Sequence, residues 1–156
     1  MMLQRILADP TRGDGHDTTG TPGDCLRVAV ANLLRLPYDD VPHFAQHVSW
    51  WDTLRRWARN RGGDFSGVTP ENGSVRHCFA TPPENLLLLG CGPSPRGPFW
   101  HTVLVDLDLR LIHDPHPSGA GLLEVAEGIV HCQAWDPPPA APLMLTAGAP
   151  NHERRA

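Results

Sequence analysis

Gly23-Asp24-Cys25-Leu26-Arg27-Val28-Ala29-Val30-Ala31-Asn32-Leu33-Leu34 is the stretch on which the fold turns. Leu26, Val30, Leu33 and Leu34 recur at helical spacing with Ala29 beside them, which predicts an amphipathic helix over residues 25–36. Asp24 or Gly23 is placed to cap it, and Pro37 stands just past its end. A cysteine on the first turn faces N–H groups that have no intrahelical acceptor, together with the positive end of the helix dipole. Both favour the thiolate, which is the nucleophilic form of a thiol. Cys25 is therefore the first candidate for chemistry.

Working outward, residues 9–24 are a glycine- and proline-containing loop leading into that helix, and residues 38–44 read as a turn that opens a short helix. Residues 49–60 predict a second helix. Trp50, Leu54, Trp57 and Ala58 share one of its faces, and Gly62-Gly63 stops it. Residues 61–84 read as loop-rich with a short strand over 75–79. The period then changes. Leu86-Leu87-Leu88-Leu89 has the length and bounding turns of a buried strand, and residues 90–98 read as a rigid loop. Trp100–Val105 and residues 109–113 predict two strands around Asp106-Leu107-Asp108, and residues 122–130 fit either a strand or a short helix. Helices first and strands later argue for an α+β fold with a small antiparallel sheet. Residues 1–24 read as an N-terminal segment, 25–135 as the domain and 136–156 as a proline-rich tail, with 134–142 and 147–156 read as surface.

The last hairpin carries two polar groups. With Leu107-Asp108 as a two-residue turn, His101 lies directly opposite Asp114, on the same face and ~5 Å away at Cβ. A three-residue turn places His113 there instead, and Asp114 then neighbours His101 diagonally, re-aimed by the bend before Pro115. The types suit one chemistry: a thiolate attacks a carbonyl carbon, an imidazole takes and returns a proton near neutral pH, and a carboxylate fixes the ring's tautomer. The backbone N–H of Cys25 is a candidate oxyanion donor. Gln4, the only glutamine before Cys25, and Asp24 are further candidates there. Arg96, in the 90–98 loop, is a candidate for binding a substrate carboxylate or phosphate.

Composition sets bounds. The chain has 156 residues and a formal charge of −4, which gives no reason to expect a nucleic-acid or membrane-surface partner. Lysine is absent, which excludes a lysine Schiff base and a Walker A lysine. Seventeen prolines and fifteen glycines imply many turns and short elements. The N-terminus lacks the apolar run of a signal peptide and no stretch is long enough to span a bilayer, so a cytoplasmic protein is expected. The four cysteines are unevenly spaced, which favours free thiols, with Cys78, Cys91 and Cys132 structural. Trp50, Trp51 and Trp57 read as core or cleft wall.

The main rival is a zinc-dependent hydrolase. His113, Asp114, His116, His131 and Cys132 lie in one compact stretch, and all of these types ligate zinc. Their spacing fits neither C-x-x-C nor H-E-x-x-H, so no metal and no cofactor is assigned.

Residues 23–44, then Ser94-Pro95-Arg96-Gly97, His101 and His113-Asp114-Pro115-His116-Pro117-Ser118-Gly119, resemble small papain-like cysteine peptidase folds of phage and bacterial genomes. The bacteriocin-processing C39 peptidases share the order: Cys on a helix, His on a strand, then Asp-Pro. The resemblance implies a papain-like fold, with the nucleophile helix packed on a small antiparallel sheet. It implies Cys25 as nucleophile, His101 as base and Asp114 as orienter, acting as a cysteine-dependent hydrolase or acyl transferase on a peptide or other amide substrate. That pattern also puts a glutamine a few residues before the cysteine, where Thr18 and Thr19 stand here. A binding protein that keeps the fold without turnover is the alternative.

Overall fold

A computed structural model describes residues 24–133. The predicted surface tail, the segment before Asp24 and Gln4 lie outside these residues. Two helices, α1 (Cys25–Leu34) and α2 (Trp50–Asn60), precede a five-stranded antiparallel sheet. Its strands are β1 (Gly63–Val68), β2 (Leu88–Pro93), β3 (Trp100–Val105), β4 (Leu111–His113) and β5 (Glu127–Gln133), in the spatial order β1-β5-β2-β3-β4. The fold class is α+β, as the pattern of elements predicts.

The helix α1 is more deeply set than a one-sided stripe implies. Val28, Ala29, Val30 and Ala31 are all fully buried, and Asn32 is buried with its amide donating to the Val28 carbonyl. It ends two residues earlier than predicted. Arg35 takes the left-handed conformation at φ 56°, and the Leu36 N–H closes back on Ala31 O. Pro37 biases Leu36 away from helical dihedrals, which explains the early stop. In α2, Trp50, Leu54 and Ala58 bury the expected face, while Trp57 meets Phe44 edge-on at 5.4 Å.

The sheet is covered on both faces. One core joins α1 and α2 to Phe65, Leu89, Cys91, Leu104 and Ile129. The other packs Val68, Leu88, Val103, Val105 and Val130 beneath Val75, Cys78, Phe79 and Leu107. Apart from Leu107, which lies in the last hairpin, this second layer comes from the region that reads as loop-rich. Residues 75–79 are not a strand there: Arg76–Cys78 form a 3₁₀ turn, and Val75 N–H bonds to Leu107 O.

Three further expectations change. First, β1 was unread within 61–84. Second, β2 runs through Leu88–Pro93, so half of the predicted rigid loop is a strand and residues 86–87 are not. Its glycines mark close approach: a Cβ on Gly92 would sit 2.0 Å from Glu124 O, against the segment that leads into β5. Gly92→Ala is expected to cost about 1–3 kcal/mol of stability, read as a lower urea midpoint at unchanged m-value. Third, the ambiguous 122–130 region resolves as strand only from Glu127, and β5 sits between β1 and β2.

The last hairpin does not use a two-residue turn. Residues 106–110 form the turn: Asp106 N–H donates to Arg110 O, and Asp106 Oδ1 accepts from the N–H groups of Asp108 and Arg110. Leu109 is left-handed at φ 61° and so falls outside β4. A bulge shifts the register, pairing Leu104 with His113 and Val105 with Leu111. With His113 opposite Leu104, Asp114 does not fall opposite His101 in the ladder; on the other edge of β3, His101 pairs with Gly92 of β2. Among the described residues no helix is long and apolar enough to cross a membrane.

Candidate active site

Cys25 is the first residue of α1, and α1 packs against β3 and β2. The helix thus delivers its N-terminal turn, with its unpaired N–H groups, to the strand that carries His101. Asp24 stands at the cap position, and its carbonyl accepts the first helical bond, from Val28 N–H at 2.9 Å. Its side chain does not cap. The carboxylate is fully buried and accepts the Tyr38 hydroxyl at 2.6 Å, while Arg27 stacks on the Tyr38 ring at 3.9 Å. An oxyanion role for Asp24 does not fit this placement, because a carboxylate offers an oxyanion no donor.

His101 and Asp114 meet despite the register shift. The chain bends at Asp114-Pro115 and brings Asp114 Oδ1 to 2.6 Å from His101 Nε2. Asp114 also closes its own turn, accepting His116 N–H at Oδ1 (2.8 Å), and takes Gly121 N–H at Oδ2 (2.7 Å). Both side chains are essentially sealed from solvent, at 0% and 1% exposure. Burial alone would lower the proton affinity of His101. The bond to Asp114 and then the neighbouring Cys25 sulfur outweigh it, and its pKa rises to about 9. Burial pushes the Asp114 pKa up, but the His101 bond and the two backbone donors prevail and hold it below the usual carboxylate value.

With Nε2 taken by Asp114, Nδ1 is the nitrogen left to exchange a proton with the sulfur. Nδ1 makes no hydrogen bond of regular geometry, yet the sulfur is close enough to act on the ring by hydrogen bonding and charge. The sulfur thus acts on the ring without a regular hydrogen bond to Nδ1.

Of the residues singled out in the sequence, Cys25, His101 and Asp114 thus converge from α1, β3 and the turn after β4. Arg96 lands on Asp114 rather than apart from it: Nη1 is 3.7 Å from Oδ2 and donates to Ser118 Oγ at 3.2 Å. The zinc candidates do not converge. Among the described residues no three His, Cys, Asp or Glu side chains are arranged to hold a metal. His116 Nδ1 contacts Ser118 Oγ at 2.7 Å, His131 packs on Phe65, and His113 sits in the β4 ladder. All four cysteines are free; Cys91 lies within electrostatic range of Cys25 and is pushed up to about 12 by burial. Sequence reasoning missed Tyr38, Ser118 and Gly121. The Asp-Pro turn signal was the one available pointer to the loop that holds Asp114.

Comparison with family models, with curated proteins and with solved structures gives no match for this chain.

Proposed function

We propose that the protein is a cysteine-dependent hydrolase or acyl transferase acting on an amide or peptide-like bond, on a papain-like arrangement of helix and sheet. The observation that carries this reading is the 2.6 Å His101–Asp114 bond, which orients a buried imidazole whose other nitrogen is left for the sulfur at the start of α1.

The chemistry follows from that order. Cys25 Sγ attacks the substrate carbonyl carbon; the S–C bond forms, and the π pair moves onto oxygen near the helix N-terminus, with the Cys25 N–H as a donor. Collapse of the adduct breaks the C–N bond, and the leaving amine takes its proton from His101 Nδ1. A water, or a second amine in the transferase case, then attacks the thioester carbonyl while Nδ1 accepts its proton; collapse of that adduct breaks the C–S bond, releases the acid or the new amide and returns Cys25 as thiolate beside the imidazolium. Asp114 stays ionised and stabilises the imidazolium throughout.

Near-complete burial of Cys25, at 7% exposure, favours a second reading, a binding protein without turnover. Iodoacetamide separates the two. Cys132 is the more exposed thiol, so accessibility alone favours labelling there. The catalytic reading expects Cys25 to be labelled first, ahead of the more exposed Cys132, and expects His101→Ala to remove that lead. Labelling led by Cys132, or a Cys25 rate that His101→Ala leaves unchanged, supports the binding reading and overturns the catalytic one.

A further inference from the structure

We propose that Arg96 is a positioning residue for His101 and Asp114: its guanidinium ties down the 114–121 loop through Ser118 and, 3.7 Å from Asp114 Oδ2, shares that carboxylate with the imidazole. The inference rests on the Cys25–His101–Asp114 reading above and extends it to the group that sets the working pH of the pair.

The placement is built from both sides. Arg96 lies in the β2–β3 loop, where Ser94 Oγ accepts its backbone N–H at 3.1 Å and Ser94 N–H closes the loop on Phe99 O. Ser94 is itself buried. On the other side, Ser118 Oγ accepts Arg96 Nη1 and Ala120 N–H, both at 3.2 Å. That fixes the loop which supplies the His116 and Gly121 N–H groups to Asp114. The Arg96 side chain is only 17% exposed, so solvent and salt screen its charge less than at an open surface.

Cys25 and Asp114 act on His101 directly, and the elements around it carry further charged or titratable groups. From α1 and its cap come Cys25 and Asp24, the latter bonded to Tyr38 beneath Arg27. From β2 and β5 come Cys91 and Glu127, which pair across the ladder. From β4 and its following loop come His113, Asp114 and His116; the β2–β3 loop gives Arg96. Asp114 favours the imidazolium. Arg96 opposes it, as a like charge that also offsets part of the carboxylate's field.

Removing the Arg96 charge therefore strengthens the hold of His101 on its proton. If Arg96 did nothing but brace the loop, its loss would loosen the His101–Asp114 bond and weaken that hold. The two roles have opposite signs. The test is the titration of His101 in the full chain, followed through its Cε1–H NMR signal, in wild type, Arg96→Gln and Arg96→Lys. Arg96→Gln is expected to raise the midpoint by about half a unit, whereas Arg96→Lys, which keeps the charge, stays near wild type. Arg96→Met keeps the apolar stem and is expected to give the same rise should the glutamine variant fail to fold. A fall in the midpoint, or none in either uncharged variant, overturns the proposal; no shift coupled to a raised KM returns Arg96 to substrate binding. The signal requires no reactivity at Cys25, so an inert thiol with a displaced midpoint sinks the catalytic reading alone.

Discussion

His101→Ala is expected to slow alkylation of Cys25 at pH 6 by about 10²-fold, and turnover of any amide or activated ester substrate by about 10²–10⁴-fold. The reasoning is geometric before it is electrostatic. Removing the ring takes away the group that, in the proposed mechanism, both receives a proton from the sulfur and returns it to the leaving group. It also strips a sealed carboxylate, Asp114, of its 2.6 Å partner. At pH 6 an imidazole with pKa about 9 is cationic, and that positive charge beside the sulfur is what the variant loses. The deficit should therefore shrink as pH rises toward 10, where simple thiols ionise unaided. That convergence distinguishes a lost proton partner from a collapsed site, which would leave Cys25 altered at every pH. Equal alkylation rates for wild type and variant at pH 6 would remove His101 from the mechanism.

The elements whose pattern is local were legible in the sequence. Both helices and β3 declare themselves by periodicity, and the helix boundaries move only by a residue or two. The sheet was harder to read because glycine marks both a turn and a close approach. Gly63 and Gly67 in β1, and Gly90 and Gly92 in β2, look like breakers along the chain. In space, Gly63 and Gly92 are where a Cβ would strike His131 and Glu124. The hairpin register failed for a different reason: the Asp106 carboxylate captures two backbone donors and enlarges the turn, a side-chain effect that turn-length rules do not include.

Cys25, His101 and Asp114 stood out because their types match one chemistry and two of them lie near one hairpin. Their meeting nonetheless depends on the bend at Pro115 rather than on the expected pairing. What surrounds them was illegible. Gly121 contributes only a backbone N–H, Ser118 only a hydroxyl on the loop after β4, and Arg96 reaches Asp114 across 18 residues of sequence. Backbone donors and long-range ion pairs leave no periodic trace.

The second large effect is on stability, and its sign follows from the two shifted groups. The folded pKa of His101, about 9, lies above its value of 6.5 in an unfolded chain, so protonated His101 favours the native state. Its contribution is full below about pH 6.5, declines as pH rises, and is gone above about pH 9. A rise of that size corresponds to about 3 kcal/mol. Asp114 acts in the opposite direction, since its folded pKa is held below 3.8. Its contribution is present above that value and is lost as pH falls through the folded pKa. The pair therefore supports the fold best from about pH 4 to 6.5 and less on either side. Urea unfolding of wild type and Asp114→Asn between pH 4 and 10 reads this directly. Asparagine keeps the shape but removes the charge that holds the imidazolium, and its amide sets N–H groups against the Gly121 donor. Wild type should lose about 3 kcal/mol relative to the variant between pH 6 and pH 10, so that the two curves converge at high pH. Parallel curves over that range would mean that His101 is neutral in the native state at pH 6, and the ion pair on which the chemistry rests would have to be abandoned.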